Sequence, residues 1–284
     1  MHIVVCIKQV PDSAQIRVHP VTNTIMRQGV PTIINPYDLF ALEEALTLRD
    51  RLGGTVTVLT MGPPMAEDML RKTLGFGADR AVLLTDRSFA GSDTLATSYA
   101  LAAAIAKIGE LWGAVDLVFT GKQTIDGDTA QVGPGIAKRL RLNQLTYVSR
   151  IVDCAPEDMV IVVDRRAEGG VQTLRTAMPA LITMMEGTNE IRRGALPTVL
   201  AAARAEIAIW SASDAGVSDL AKCGLRGSPT VVKQVFAPKP RAEKAQQLDV
   251  SELGDDALAE RTLEAIFSRL PGIEAELLQH AASY

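Results

Sequence analysis

Cysteine, histidine and aromatic residues are scarce in this chain of 284 residues. The three cysteines and three histidines are scattered, and no C-x-x-C pair occurs, so the sequence encodes no local zinc or iron–sulfur motif. Aromatic residues make up only 4% of the chain. Isolated cysteines of this kind are typical of buried thiols in a reducing cytoplasm, and we expect a cytoplasmic location.

The chain also lacks a basic stripe and a long apolar run. Its net charge of −4 argues against nucleic-acid binding. The alanine-rich stretch 101–108 is interrupted by Lys107, and the apolar run 3–7 is too short for a signal peptide. We therefore expect no membrane insertion and no secretory leader.

What the sequence does contain is an alternation of short apolar runs with amphipathic segments. Strands are predicted at residues 3–7, 55–60, 80–84 and 115–119, because these runs are short and rich in β-branched residues. Helices are predicted at about residues 38–52, 65–74 and 93–110. The alternation predicts an α/β fold with a doubly wound, mainly parallel, Rossmann-like sheet, in which ligands bind outside the carboxyl ends of the strands.

The segment after the fourth predicted strand has the clearest binding signal. Gly121 and Gly127 are expected to permit positive φ and to let a ligand approach the backbone. Free N–H groups at the helix start that follows favour an anion such as a pyrophosphate. A polar loop without a ligand is the alternative.

The predicted helix start carries a capping signal. Asp128 and Gln131 have capping-box spacing, so Asp128 is predicted to accept a hydrogen bond from the N–H of Gln131. The backbone N–H groups, Thr129 and Gln131 are left to face the ligand. Pro134 is expected to kink a helix that begins at Thr129 or to delay its regular part.

Several further segments, taken together with this loop, are highly specific in combination. They cover about residues 1–210 and are 5–12, 34–45, 60–64, 74–80, Glu168-Gly169-Gly170, Pro179 and Asn189-Glu190. In this order the chain resembles the β (small) subunit of electron-transfer flavoproteins, most closely the Fix type associated with nitrogen fixation.

The resemblance implies an adenine-nucleotide site. Positions that match the family's nucleotide contacts are Cys6, Asn35, Pro36, Tyr37, Asp38, Met61, Gly121, Lys122, Gln123, Thr124, Ile125, Asp126, Gly127, Asp128, Thr129, Ala130, Gln131 and Val132. Without the resemblance, residues 35–38 are also consistent with a turn and helix cap, and Cys6 and Met61 with core packing.

The resemblance leaves two nucleotides for this site. The ordinary branch of the family holds structural AMP there, whereas the branch that resembles bifurcating flavoproteins holds a second FAD and has the loop Asp-Gly-Asp-Thr-Ala-Gln-Val-Gly-Pro, as here. Gly127 and Ala130 replace bulkier or polar residues and would leave room for the longer diphosphate. Hydroxyls at Ser92, Thr94 and Thr97 also match the bifurcating branch, although Ser92 or Asp93 is equally suited to an N-cap. We favour FAD, with AMP as the alternative.

The function implied by the resemblance is electron relay in a heterodimer with a large α (FixB-like) subunit. NADH would donate electrons that then diverge, one to a ferredoxin or flavodoxin and the other towards a quinone oxidoreductase (FixC/FixX-like). No nucleophile–base pair stands out, so no catalytic residue is predicted and the flavin carries the chemistry. The alternatives are a non-bifurcating subunit with AMP and a nucleotide-sensing regulatory protein without redox work.

The second half of the chain changes character. Strands at residues 146–152, 159–164, 172–176 and 180–184, with a hairpin turn at Glu168-Gly169-Gly170, resemble the family's antiparallel extension. Arg165 matches the family's usual arginine. Arg166 departs from the family, because many relatives have an acidic residue there that is suited to pairing with the large subunit.

The last part of the chain is predicted to contact partners. Leu196 and Pro197 lie in the segment that the family uses to dock redox partners, although a first core contact of a helix at 198–205 is the alternative for Leu196. We predict a nucleotide-binding domain at 1–210. An arm at 211–284, punctuated at 224–229 and 237–240 and ending in helices at 255–270 and 274–280, is predicted to wrap the partner subunit.

Overall fold

The structure, a computed structural model, describes residues 1–12, 31–232 and 254–270, together with 272, 273 and 277. The chain divides into two compact units, Met1–Phe236 and Ala237–Tyr284. The first unit therefore extends beyond the boundary predicted at residue 210. Within the described ranges, no helix combines the length and apolar character needed to cross a membrane.

The first unit is built from eleven described strands. They are β1 (His2–Cys6), β2 (Gln9–Pro11), β3 (Thr32–Ile34), β4 (Thr55–Met61), β5 (Arg80–Leu84), β6 (Leu117–Gly121), β7 (Asn143–Ala155), β8 (Val160–Ala167), β9 (Gly170–Ala177), β10 (Ala180–Met184) and β11 (Ala208–Trp210). Nine form one sheet in the order β11-β5-β4-β1-β6-β10-β7-β8-β9, while β2 and β3 make a separate antiparallel pair.

The large sheet is mainly parallel, as predicted. From β1 in the interior of the sheet the chain adds β4 and β5 on one side and then returns to place β6 on the other side, so the order reverses between β1 and β6. A reversal of this kind opens a crevice at the carboxyl ends of the two strands, where doubly wound sheets bind ligands.

The antiparallel extension consists of β7, β8 and β9, and the predicted turn joins β8 to β9 through Glu168 and Gly169. The assignment of residues 180–184 to that extension was wrong. This segment, β10, lies parallel to both β6 and β7 and is buried throughout. Its continuous apolar pattern reflects burial on both faces in the interior of the sheet.

Six α-helices are described: α1 (Pro36–Leu52), α2 (Glu67–Phe76), α3 (Thr94–Trp112), α4 (Val132–Leu140), α5 (Leu196–Ala202) and α6 (Asp255–Arg269). Helices α1, α2 and α5 contribute buried residues to one core cluster, and α3 and α4 to the other. Neighbouring residues of β1 divide between the layers, since Val5 belongs to the first cluster and Val4 to the second. The sheet is thus covered on both faces.

Residues 211–232 were predicted to begin an extended arm, but they pack on the first unit. Ala212, Ala215 and Cys223 are buried in the same cluster as α3 and α4. The three cysteines are buried free thiols, as expected. In the second unit α6 matches the predicted helix at 255–270, whereas residues 237–240 and most of 274–280 lie outside the described residues.

Candidate functional site

The carboxyl ends of β1 and β6 meet the first turn of α1 at the side chain of Asp38. This carboxylate is only 4% exposed. Its Oδ2 accepts a hydrogen bond from the backbone N–H of Lys8 at 2.8 Å, and its Oδ1 accepts one from the N–H of Gly121 at 3.0 Å. One side chain therefore joins the ends of the two strands that flank the reversal in strand order.

Gly121 is required by this close approach. A Cβ atom at this position would lie 2.5 Å from Oδ1 of Asp38 and 2.6 Å from Cβ of Tyr37. Neither Gly121 nor Gly127 uses the positive φ that glycine permits, because neither is among the positive-φ residues of the described chain. At Gly121 the first residues of helix α1 come close to the backbone.

Asn35 holds the loop that follows β6. It is fully buried, its Nδ2 donates to the carbonyl of Gln123 at 2.9 Å, and its Oδ1 accepts from the N–H of Ile125 at 3.2 Å. Asn35 occupies the N-cap position of α1 but makes no side-chain cap of that helix. Asn35 therefore stands at the start of the helix, as the helix-cap alternative predicts, but its side chain does not cap the helix.

The loop itself turns at Asp128 and Ala130, which adopt φ of 50° and 54°. Gln131 follows with φ −97° and ψ −24°, so a left-handed residue is succeeded by a right-handed one. Such a pair directs successive N–H groups into a concave site for anions. The N–H groups of Thr129, Ala130 and Gln131 have no acceptor among the described residues. This part of the loop fits a phosphate or diphosphate.

The predicted capping box does not form. Helix α4 begins at Val132, and Oδ1 of Asp128 accepts from Nε2 of Gln123 at 2.8 Å instead of from Gln131. Pro134 is the third residue of α4, where no intrahelical N–H is needed, so its predicted effect of delaying the regular helix is confirmed.

Helix α3 approaches the same loop through its first residue. Thr94 Oγ1 donates to Oε1 of Gln131 at 2.7 Å. Asp93 caps α3 by accepting from the N–H groups of Leu95 and Ala96, which confirms the capping alternative for that residue. Ser92 is not the cap, because its hydroxyl donates to the carbonyl of Phe89 and accepts from the N–H of Gly224. Thr97 is half-buried one turn into α3.

Two lysines, Lys8 and Lys122, form ion pairs at the loop. Nζ of Lys8 lies 2.7 Å from Oδ2 of Asp126, and Nζ of Lys122 lies 2.8 Å from Oε2 of Glu186 and 4.8 Å from the centre of the Tyr37 ring. Burial alone raises the pKa of Asp126, but hydrogen bonds from Lys8 and Thr124 outweigh it and the pKa is lowered. The loop carboxylate is thus ionised and neutralised by Lys8.

The titration of the buried groups differs from that of the loop. Burial raises the pKa of Asp38 to about 7, although hydrogen bonds from the Asn35 side chain and from the N–H groups of Lys8 and Gly121 oppose the rise. Burial, and then the charge of Asp38, also raise the pKa of Cys6, which is therefore a neutral thiol at physiological pH. Cys6 packs in the core as well as standing at the end of β1.

The remaining predicted residues fall into two places. Met61 is the last residue of β4 and is half-buried. Because β4 pairs in parallel with β1, Met61 lies at the same edge of the sheet as Cys6. Pro36 and Tyr37 form the start of α1, beside the loop. Leu196 and Pro197, by contrast, begin α5, and Leu196 is 70% exposed. The core-contact alternative for Leu196 is therefore wrong.

Sequence reasoning missed the roles of Lys8 and Glu186. Lys8 lies within the matching segment 5–12, and its position two residues after β1 was the available signal. Nothing in the sequence pairs Glu186 with Lys122, which lies 64 residues earlier.

Comparisons with known proteins identify the family of this chain. The sequence model of the family described as "Electron transfer flavoprotein domain" matches residues 22–215. The chain is 71% identical to "Protein FixA" of Azorhizobium caulinodans over 284 residues, all of both chains. It is 64% identical to "Protein FixA" of Azotobacter vinelandii over 281 residues, 99% of this chain and 100% of that one. It is 47% identical to "Electron transfer flavoprotein subunit beta" of Clostridium acetobutylicum over 82% of this chain and 87% of that one. The chain therefore belongs to the electron transfer flavoprotein family, as a β subunit of the FixA type.

Proposed function

We propose that this chain is the small subunit of a heterodimeric electron-transfer flavoprotein that binds FAD at the loop 121–132 and relays electrons in support of nitrogen fixation. The observation that carries the proposal is the cradle of N–H groups at Thr129, Ala130 and Gln131, set beside the crevice between β1 and β6. Oriented N–H groups in a turn of this kind favour a diphosphate.

Two features support FAD in preference to AMP. The hydrogen bond from Thr94 to Gln131 places the start of α3 against the loop, so the polar edge continues beyond the N–H cradle. A Cβ at Gly127 would have only Oγ1 of Thr124 nearby, at 3.4 Å, so the chain itself leaves this side of the loop open. A ligand longer than AMP has polar groups to contact and space to occupy.

When bound, FAD would supply the redox chemistry, namely hydride acceptance from NADH and single-electron transfer. The chain's own residues bind and orient it. Asn35 and Asp38 hold the loop and strand ends, and Lys8 neutralises the carboxylate of Asp126. The partners are a large α subunit, a ferredoxin or flavodoxin for one electron, and a quinone oxidoreductase for the other, with Leu196 and Pro197 as a docking point.

Structural AMP is the second candidate, since the same N–H groups suit a single phosphate. The test is to co-express the chain with its large subunit, denature the purified heterodimer and identify the released nucleotides by mass spectrometry and absorbance. Two FAD per heterodimer are expected. One FAD with one AMP would support the non-bifurcating alternative, and loosely held ATP without flavin would support a regulatory protein.

A further inference from the structure

Both carboxylate oxygens of Asp38 are engaged by the chain itself. Each accepts a backbone N–H, one from Lys8 after β1 and one from Gly121 at the end of β6, and the side chain is 4% exposed. Both polar atoms of Asn35 are likewise occupied, by Gln123 and Ile125, and the residue is fully buried. The polar atoms of these two side chains are therefore occupied within the protein.

A carboxylate is a costly residue for this place. Its burial raises the pKa to about 7, because removal from water outweighs the hydrogen bonds that the ionised form accepts. An asparagine of the same shape would avoid that cost. However, an amide has one acceptor atom, so its NH₂ group would face the second N–H. Only an ionised carboxylate satisfies both strand ends at once.

We propose that the side chains of Asp38 and Asn35 position the nucleotide site, because they act through the strand ends and the loop. Asp38 holds the ends of β1 and β6 together, and Asn35 fixes the stem of the loop at residues 123–125. The tip is then held by the bonds from Gln123 to Asp128 and from Thr94 to Gln131, so the N–H groups of residues 129–131 converge before the ligand arrives. This inference rests on the proposed function.

The chain offers a matched control at the opposite edge of the sheet. Oδ2 of Asp116 accepts from the N–H of His2 at 2.7 Å and so joins the amino ends of the same two strands, β1 and β6. Asp116→Asn therefore makes the same chemical change between the same strands, but far from the loop.

The test uses the heterodimer with the large subunit, stripped of its nucleotides and titrated calorimetrically with ADP, which carries the adenosine and diphosphate groups of FAD. At pH 8, Asp38→Asn is expected to weaken ADP binding by about tenfold or more, because a charged hydrogen bond at the strand ends is lost. Its thermal stability is expected to be no lower than that of the wild type. Asp116→Asn is expected to bind ADP normally.

A pH series adds a second measurement, the ratio of wild-type to Asp38→Asn affinity for ADP. A purely structural role of Asp38 would not make this ratio depend on pH. The groups acting on Asp38 are Lys8 and Cys6 from the β1 side; Lys122, beside Gly121, is paired with Glu186 and lies over Tyr37. From pH 8 to pH 6 Asp38 becomes protonated and resembles asparagine. The ratio of wild-type to Asp38→Asn affinity should therefore shrink, and the titration of ADP itself cancels in that ratio.

The proposal is overturned if Asp38→Asn binds ADP within twofold of wild type at pH 8, or if affinity and thermal stability fall together. Should Asp38→Asn fail to fold, Asn35→Ala decides, since it removes the side-chain bonds to Gln123 and Ile125 and leaves the two backbone bonds of Asp38 in place. Wild-type affinity in that variant overturns the proposal, and a loss of affinity in a stable protein supports it. A wild-type heterodimer that binds neither ADP, AMP nor FAD in this subunit refutes the proposed function instead.

Discussion

The ammonium of Lys8 contacts both carboxylate oxygens of Asp126, at 2.8 and 2.7 Å, and so joins the end of β1 to the nucleotide loop across 118 residues of sequence. The two side chains are 46% and 28% exposed, so the pair adds little to stability, roughly 0–1 kcal/mol. Its importance is electrostatic, because it neutralises a carboxylate on a loop that we propose binds a diphosphate.

Lys8→Met is therefore expected to weaken nucleotide binding several-fold while the thermal midpoint stays nearly constant. Calorimetric titration with ADP at low and high salt measures the effect. In the double variant Lys8→Met/Asp126→Asn the unpaired charge is gone, and we expect the affinity to recover partly. Equal affinity in the single and double variants would contradict the electrostatic interpretation.

Gly127→Val is expected to remove the nucleotide of the small subunit and leave the flavin of the large subunit in place. Within the chain a Cβ at Gly127 meets only Oγ1 of Thr124 at 3.4 Å, so the free protein should fold and the clash should be with the ligand. The measurement is flavin content per heterodimer, expected to fall from two towards one. Gly127→Ala provides a graded comparison, and full occupancy in the valine variant would sink the assignment.

Leu196→Ala is expected to slow electron transfer to the quinone-linked partner without loss of flavin or stability. The side chain is 70% exposed at the start of α5, so its truncation removes a contact with a partner and not with the core. Leu111→Ala, at an exposed leucine of α3, is the matched control. A destabilisation of roughly 2–5 kcal/mol, as for a buried leucine, would show that the contact is internal.

The titration of Asp38 predicts the pH dependence of stability. The unfolded pKa is 3.8 and the folded pKa is about 7, so folding takes up a proton between these values and the free energy of unfolding falls as pH rises through that window. Above pH 7 the stability gained from protonation of Asp38 is lost. Compared with Asp38→Asn, the wild type should lose up to roughly 4 kcal/mol from pH 4 to pH 8. Parallel profiles in chemical denaturation, with equal slopes for both proteins, would disprove the shift.

The tail after residue 237 is expected to contribute more to subunit association than to the fold of the first unit. Helix α6 has no buried residue; its leucines at 258 and 263 are 37% and 47% exposed, and Leu270, which follows the helix, is 52% exposed. Deletion of residues 238–284 should therefore weaken the heterodimer in analytical ultracentrifugation and change the melting of the first unit little.

The intact chain without its large subunit should be poorly flavinylated and inactive with NADH. A monodisperse, FAD-saturated and NADH-reactive isolated chain would refute this prediction.

Much of the architecture was predictable because it depends on local patterns. The runs at β1, β4, β5 and β6 are apolar on both faces, and burial between helix layers is what such runs require. The fully buried run at β10 carries the same pattern, yet its neighbours β6 and β7 could not be inferred, since strand pairing depends on distant parts of the chain.

The sequence alone determined the fold class, the family resemblance and the position of a polar loop after β6, because apolar periodicity and loop composition are local properties. Only the tertiary structure decided how the loop is held. Asp38 joins two strand ends, Asp128 was expected to cap a helix and instead adopts a left-handed turn, and Leu196 proved to be exposed. Each outcome depends on which groups meet after the sheet has assembled, since a polar side chain bonds to the nearest unsatisfied partner whatever its separation along the chain.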